Sequence, residues 1–285
     1  MIHLLNANPA LDFDFKLSDP ASGKIGAVES FTVSPGGKAL NVARFLKALR
    51  VPARLWVPSG EREATQVLYF HLARRKDLSV QWVPQEGPVR ANVVLHNSGG
   101  SAKFNHSGFP LSAAPWDRLL ARRLRPGDLL ALTGRLPAQN AGLYAGWIKT
   151  WQPKGVRVAL DASGEGLRRA MAQRPWFLKV NLDEFNGAWA PACPTLTRVA
   201  AQVPKLRRKG LIHGAVTHGA EGALVWEGGR VLGVKNAAVK DRKLVVGAGD
   251  GFLAGYLAAV QAKLDLADRC RWASAAARVV AEKGI

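Results

Sequence analysis

The strongest constraint on the fold is a repeated pair of segments, in which a short apolar run is followed by a stretch with helical periodicity. Early in the chain the pattern predicts strands at residues 2–5 and 54–57 and helices at residues 38–49 and 61–74. It continues with predicted strands and helices at residues 129–133, 141–151, 156–161, 165–172, 177–180 and 215–217. Strands and helices that alternate through short links are typical of a mostly parallel sheet with helices on both faces. The sequence therefore predicts the α/β class and a three-layer α/β/α sandwich.

Two groups of β-type residues interrupt this alternation and predict a second, smaller sheet. Residues 12–17 alternate between polar and apolar side chains, and residues 27–33 continue in β-type residues. Residues 89–96 are also rich in β-type residues and lead into residues 103–105. We expect antiparallel strands within about 12–33 and 89–105, inserted into one domain that spans residues 1–285. A small sheet of this kind can form a lid over a site.

Composition excludes several classes of protein. No apolar run approaches the roughly 20 residues that a membrane helix needs, so no membrane span is expected. The first residues lack a basic segment followed by a long apolar one, which argues against a signal peptide and favours a cytoplasmic protein. The two cysteines, Cys193 and Cys270, are too few for a disulfide scaffold and lack metal-ligand spacing.

The net charge of +19 is the most unusual number in the composition. Such a charge attracts anionic substrates or polyanions but carries no information about the fold. The densest basic run, residues 205–209, is not interleaved with the aromatic side chains that single-strand binding proteins use. Solvated basic helix faces are the favoured explanation, and a nucleic-acid partner is not expected.

A glycine-rich turn before Asp250 carries the most informative chemistry. A β-type run enters Gly247, Ala248 and Gly249, and we expect a helix that starts at or just after Asp250 and continues almost to the end of the chain. Unpaired backbone amides at a helix start bind anions. Asp250 can then accept a proton from an attacking hydroxyl while the amides hold a phosphoryl group. The alternative is that Asp250 only caps the helix.

A second glycine pair, Gly36 and Gly37, precedes the predicted helix at residues 38–49. Asn41 would project from its first turn, where an amide can bind sugar hydroxyls, and Lys38 can meet an anionic substituent. The alternative is a plain turn with a solvated lysine.

Two further segments follow predicted strands. Asn181 and Glu184 are three residues apart, share one face of a helical turn, and offer oxygen ligands that suit Mg²⁺ through water. The alternative is a capping box, in which the two residues only cap a helix. Residues 217–224 form a turn between two strands, which can lie against a nucleotide or be a simple hairpin-like link.

Other nucleotide and metal motifs are missing from the sequence. It contains no P-loop motif, no complete dinucleotide-binding fingerprint and no protein-kinase motif. The six histidines show no zinc-protease spacing.

Taken together and in this order, the segments resemble the ribokinase-like (PfkB) carbohydrate kinase family over nearly the whole chain. The resemblance is closest to its 1-phosphofructokinase and tagatose-6-phosphate kinase branch. The matching segments are Asn8-Pro9-Ala10-x-Asp12, residues 36–43, Arg90-x-Asn92, Asn105-x-Ser107-Gly108-Phe109, Thr133-Gly134-x-Leu136-Pro137, Pro175-Trp176 and the turn before Asp250.

The resemblance implies a ribokinase-like fold with a β-sheet lid, a homodimer through the lid, and ATP with Mg²⁺ as the phosphoryl donor. It implies that Asp250 is the catalytic base beside an anion hole formed by Gly247, Ala248 and Gly249. The implied contacts to the acceptor sugar and its phosphate are Asp12, Gly36, Gly37, Lys38, Asn41, Arg90 and Asn92. The implied nucleotide contacts are Lys179, Asn181, Thr217, Gly219 and Gly222, with Asn181 and Glu184 near the metal through water.

The implied reaction is ATP-dependent phosphorylation of a hydroxyl on a sugar phosphate, most simply a ketohexose phosphate. The sequence departs from the family pattern at Ala39, Arg135, Val245 and Gly251. These departures leave two alternatives open: a member that binds sugar or nucleotide without turnover, and a kinase of an unphosphorylated sugar or nucleoside.

Overall fold

The computed structural model describes residues 1–18, 26–59, 63–74, 78–235 and 247–283. The strands in these ranges are β1 (Ile2–Leu5), β2 (Ala10–Leu17), β3 (Val28–Gly36), β4 (Ala53–Ser59), β5 (Val80–Pro84), β6 (Arg90–Asn97), β7 (Gly100–Asn105), β8 (Leu129–Thr133), β9 (Arg157–Asp161), β10 (Phe177–Asn181), β11 (His213–His218), β12 (Gly222–Glu227) and β13 (Arg230–Val234). The helices are α1 (Lys38–Ala48), α2 (Ala64–Arg74), α3 (Ala113–Arg123), α4 (Leu143–Trp151), α5 (Gly164–Met171), α6 (Leu182–Ala188), α7 (Leu196–Arg208), α8 (Ala248–Gln261) and α9 (Leu266–Lys283).

The main sheet has nine strands in the order β13-β12-β11-β10-β9-β8-β1-β4-β5 among the described residues. The seven strands from β11 to β5 run parallel, whereas β12 and β13 are antiparallel to their neighbours. The register places Leu4 of β1 between Leu55 of β4 and Ala131 of β8. A mostly parallel sheet is therefore confirmed.

Side chains from successive residues of the central strands enter two separate cores. Leu5 of β1 packs with the helices α3 to α7 on one face, and Leu4 packs with α1, α2, α8 and α9 on the other. Parallel strands that are buried on both faces read as continuous apolar runs, which is how β1 and β8 appear in the sequence. The three-layer α/β/α arrangement is confirmed.

The second sheet contains four strands in the order β3-β2-β6-β7. As predicted, β2 pairs antiparallel with β3, and β6 pairs antiparallel with β7. The expectation of antiparallel strands throughout was wrong for the central pair, because β2 and β6 run parallel. β1 and β5 point the same way in the main sheet, so the strands that follow them leave its carboxyl edge in the same direction. We call this sheet the lid.

The C-terminal segment differs from the continuous helix that its pattern predicted. α8 ends at Gln261, Lys263 adopts a left-handed conformation (φ 57°), and α9 packs along α8. A Cβ atom at Gly251 would lie 2.6 Å from Val280 Cγ2 and 3.0 Å from the carbonyl oxygen of Ala276, so the two helices touch closely there. Within the described ranges, no helix has the length and apolar character that a membrane span requires.

Candidate active site

A cavity of about 690 Å³ lies between the lid and the carboxyl ends of the parallel strands. Ligands of such open sheets bind at this edge because loops and helix starts meet there. All but one of the site residues predicted from the sequence line the cavity. They are Asp12, Gly37, Lys38, Asn41, Arg90, Asn92, Lys179, Asn181, Glu184, Thr217, Gly219, Gly222, Gly247, Ala248, Gly249 and Asp250.

The exception is Gly36, which is not among the residues that line the cavity. Its carbonyl oxygen accepts hydrogen bonds from Asn6 Nδ2 and from the hydroxyl of Tyr69. A side chain at Gly36 would overlap the carboxylate of Asp12. Because Gly36 has no side chain, it leaves room for the carboxylate of Asp12.

The turn before Asp250 is an N-terminal helix cap of a kind that needs glycine. Gly247 is the N-cap with φ 94°, in the left-handed region, and α8 begins at Ala248. The helix thus starts two residues earlier than Asp250, and Asp250 lies inside the first turn. The alternative, that Asp250 only caps the helix, was wrong, since Gly247 is the N-cap and no side chain caps α8. Amides of a first helical turn lack intrahelical partners, and Ala248, Gly249 and Asp250 of this turn line the cavity.

Asp250 is held by an amide from the other side of the cavity. Asn41 Nδ2 of α1 donates a 2.8 Å hydrogen bond to Asp250 Oδ2. Burial raises the pKa of Asp250 to about 6, although the ammonium group of Lys38 opposes the shift. The carboxylate is therefore mostly ionised at pH 7, with a pKa close enough to neutrality for a general base.

A buried carboxylate that sequence reasoning missed, Asp161, lies at the centre of the site. It ends β9 and is fully buried, and it accepts 2.8 Å bonds from Lys38 Nζ and Lys179 Nζ. Burial alone would raise the pKa of Asp161, but the charges of Lys179 and Lys38 lower it overall. Burial would lower the pKa of Lys38, yet the surrounding carboxylates raise it. Asp161 therefore fixes the positions of both ammonium groups.

The start of α6 contains the capping box that the sequence left as an alternative. Asn181 Oδ1 accepts from the amide of Glu184, and Glu184 Oε2 accepts from the amide of Asn181. Glu184 Oε1 remains and lies 3.4 Å from Lys38 Nζ. No cluster of three or more histidine, cysteine, aspartate or glutamate residues that could hold a metal occurs in the described part of the chain. Capping and a water-mediated metal contact are compatible, because the capping box uses only one of the two carboxylate oxygens of Glu184.

The link between β11 and β12 is a tight turn of an antiparallel pair, and it also lines the cavity. The hairpin-like link is confirmed, and a contact with a nucleotide stays a prediction. Thr217 and Gly222 lie at the two ends of this turn and line the same cavity as the start of α8.

The lid contributes a network of polar groups at the opposite end of the cavity. Asn92 Nδ2 donates to Asp12 Oδ1 at 2.7 Å, and Arg90 Nη1 donates to Asn92 Oδ1 at 2.7 Å. Asn8, another residue that site prediction missed, donates to the carbonyl oxygens of Ser107 and Arg135. Asn8 follows β1 and belongs to the segment Asn8-Pro9-Ala10-x-Asp12, which carries part of the family resemblance, and this was the sequence signal that could have identified it. Asn8 thereby joins the lid to the end of β8.

Similarity to known proteins agrees with this geometry. The model of the pfkB family carbohydrate kinases matches residues 10–284. The 1-phosphofructokinase of Bacillus subtilis (strain 168) is 29% identical over 276 residues, covering 95% of this chain and 89% of that protein. The 1-phosphofructokinase of Rhodobacter capsulatus is 30% identical over 282 residues, covering 96% of this chain and 88% of that protein.

Among solved structures, phosphofructokinase-2 from Escherichia coli in complex with potassium superimposes with a TM-score of 0.88 at 24% identity. The match covers 98% of this chain and 92% of that one. This likeness establishes the ribokinase-like fold. Together with the family match, it leads to one conclusion: the chain belongs to the pfkB family of carbohydrate kinases, enzymes that transfer a phosphoryl group from ATP to a sugar hydroxyl.

Proposed function

We propose that this kinase phosphorylates a hydroxyl of a ketohexose phosphate, with 1-phosphofructokinase-like activity first and tagatose-6-phosphate kinase-like activity second. The relatives named above carry the first of these names. The observation that carries the proposal is the buried carboxylate of Asp250, held by Asn41 beside the unpaired amides of the α8 start.

Asp250 takes the proton of the attacking hydroxyl in the proposed mechanism. Its carboxylate is ionised at neutral pH, and Asn41 fixes its orientation. The amides of Ala248 and Gly249 point at the developing charge of the transferred group, with Gly247 shaping the turn. Lys38 and Lys179, both held by Asp161, supply positive charge near Asp250, where the phosphoryl group of ATP would meet the acceptor hydroxyl.

The two ends of the cavity have different chemistry, and we assign them different ligands. Asp12 and Asn92 offer oxygens and an amide to sugar hydroxyls, with Arg90 beside them for a phosphate. Asn181, Thr217, Gly219 and Gly222 line the other end, which we assign to ATP. The chain acts as one kinase domain over residues 1–285 in this proposal.

A magnesium ion that accompanies ATP would fit beside Glu184. The donor set offers hard oxygen atoms, and Glu184 Oε1 is not used by the capping box. When bound, the ion neutralises charge on the ATP phosphates. Glu184, with Asn181 next to it, would hold the ion through water, and Lys38 Nζ lies 3.4 Å from the same carboxylate oxygen, Oε1.

The outer face of the lid supports a homodimer. Phe31 pairs with Phe15 across β3 and β2, and Phe104 pairs with Val93 across β7 and β6, so their side chains lie on one face. Phe31 is 62% exposed and Phe104 is 59% exposed. Exposed aromatic side chains of this size are costly in water, and a second lid would cover them.

The test is an Asp250→Asn variant assayed with ATP and a panel of fructose 1-phosphate, fructose 6-phosphate, tagatose 6-phosphate and free fructose. We expect kcat to fall by about 10² to 10⁴, the size of a general-base effect, while ATP affinity measured by calorimetry persists. Asp268→Asn is the matched control, because Asp268 also lies in the first turn of a helix but bonds Arg271 at the surface.

Near-normal turnover by Asp250→Asn would exclude Asp250 as the base. No turnover of any substrate by the unmodified enzyme, with ATP still bound, would favour the alternative of binding without catalysis. If the enzyme prefers free fructose, the alternative of a kinase that acts on an unphosphorylated sugar is favoured.

A further inference from the structure

The acceptor end of the cavity contains more positive charge than the hydrogen-bond network around it uses. Arg90, Lys103 and Arg135 all line this end. Arg90 donates to the protein through two of its three guanidinium nitrogens: Nε to the carbonyl oxygen of Asn8 at 3.3 Å, and Nη1 to Asn92 Oδ1 and the carbonyl oxygen of His106. Arg90 is thus fixed in place before any ligand binds.

Arg135 differs from Arg90 because its guanidinium has no partner among the described residues. Its backbone is anchored, since the carbonyl oxygen accepts a 2.8 Å bond from Asn8 Nδ2. Its side chain is exposed and lies beside the start of α5, where a Cβ atom at Gly164 would be 3.9 Å from Arg135 Nε. Neither a hydrogen bond nor an ion pair joins this guanidinium to another described side chain.

The two guanidinium groups are close enough to affect each other. Burial lowers the pKa of Arg90, Asp12 opposes that shift, and the charge of Arg135 lowers it further. Asn8 contacts the backbone or side chain of both arginines, so both are attached to one rigid point. Two neighbouring cations with five N–H donors each repel one another unless an anion lies between them.

We infer that Arg135 is a specificity-determining residue that binds the phosphate group of the acceptor opposite Arg90. The inference rests on the proposed function and names the group that selects a phosphorylated acceptor over a free sugar. A phosphate dianion has enough oxygen acceptors for the guanidinium fork of Arg135 and for Nη2 of Arg90, and such charge-assisted bonds are stronger than neutral ones. Serine, which the family resemblance leads us to expect at this position, could offer only one hydroxyl.

The test compares Arg135→Ser and Arg135→Lys with the unmodified enzyme in steady-state kinetics. For the best phosphorylated substrate, we expect Arg135→Ser to raise KM about 10- to 100-fold, with kcat within about threefold. The KM for ATP and the KM for free fructose should not change. Inorganic phosphate, used as an inhibitor competitive with the acceptor, should bind Arg135→Ser more weakly than it binds the unmodified enzyme. Arg135→Lys should bind phosphate with intermediate affinity, because lysine supplies a point charge but no guanidinium fork.

Arg122→Ser is the matched control, because Arg122 is an exposed arginine in the last turn of α3 and lies outside the cavity. Unchanged KM for the phosphorylated acceptor and unchanged phosphate inhibition in Arg135→Ser would overturn the inference. If the enzyme turns over no member of the panel, the proposed function fails. Calorimetric binding of inorganic phosphate to the unmodified protein and to Arg135→Ser would still decide the role of Arg135.

Discussion

Replacing Asp161 with asparagine measures how much the central carboxylate stabilises this site. Asp161 is fully buried between two ammonium groups, and the Lys179 side chain beside it is only 3% exposed. An asparagine oxygen can accept from one lysine but carries no charge, so Lys179 loses its nearest counter-charge. Breaking a buried pair in this way destabilises a protein by about 3–5 kcal/mol. Because the amide keeps one hydrogen bond, we expect the free energy of unfolding to fall by about 3 kcal/mol. This corresponds to a fall in Tm of about 6–12 °C.

Urea unfolding followed by circular dichroism gives the change in free energy from the midpoint at constant m-value. Glu165→Gln is the matched control, since Glu165 also accepts from two cations, Arg168 and Arg169, but at the surface. We expect no measurable change in that control. Removing Lys179 as well, in Asp161→Asn/Lys179→Met, should be less harmful than the sum of the single changes. A loss below about 1 kcal/mol in Asp161→Asn would refute the reasoning.

The pH dependence of this stabilisation follows from the direction of the shift. The folded-state pKa of Asp161 lies below its ordinary value of 3.8. The stabilisation is therefore complete at neutral pH and is lost as pH falls through the acid range, so the difference between Asp161→Asn and the unmodified protein should narrow below about pH 4.

Four other predictions concern catalysis, packing and assembly. Below the Asp250 pKa of about 6, kcat/KM for the acceptor should fall about tenfold per pH unit, because the base becomes protonated. Gly251→Ser, a change toward the common family residue, should lower stability by about 1–3 kcal/mol in thermal unfolding, because its Cβ would crowd Val280. Glu184→Gln should raise the Mg²⁺ concentration needed for half-maximal rate without changing acceptor KM. Phe31→Asp should shift a dimer to monomer in analytical ultracentrifugation.

Each of these has a contrary result. A flat kcat/KM between pH 5 and 7 would be inconsistent with Asp250 as the ionising base. An unchanged Tm for Gly251→Ser would mean that α9 shifts away from the added side chain at little energetic cost. An unaltered Mg²⁺ requirement in Glu184→Gln would show that Glu184 does not help to bind the metal. An unaltered sedimentation coefficient in Phe31→Asp would show that this face of the lid does not form the dimer interface.

The layered fold was predictable because each element carries its own signal. Buried parallel strands such as β8 are uninterrupted apolar runs, and amphipathic helices such as α1 repeat with a helical period. The positions of the cavity-lining residues followed from glycine-rich turns and strand ends. The roles of those residues came from the family resemblance rather than from periodicity.

The contacts that define the site were not predictable, because they join residues far apart in the sequence. Lys38 and Asp161 are 123 residues apart, and Asn41 and Asp250 are 209 apart. Nothing local marks Asp161 except its place at the end of a predicted strand. Residues 80–84 and 230–234 were not assigned as strands, since each is short and at a sheet edge, where little of the alternation survives.

The cavity is divided between the two halves of the chain. The groups that we assign to the acceptor lie at or before Arg135, whereas those that we assign to ATP begin at Lys179. The halves share both apolar cores and meet where β8 pairs with β9 and where α1 packs against α8. Inside the cavity, side-chain contacts that cross between the halves include Lys38 with Asp161 and Asn41 with Asp250. A gene chimera that joins two relatives within α4 would consequently inherit its choice of sugar from one parent and its choice of nucleotide from the other, if those crossing pairs are kept.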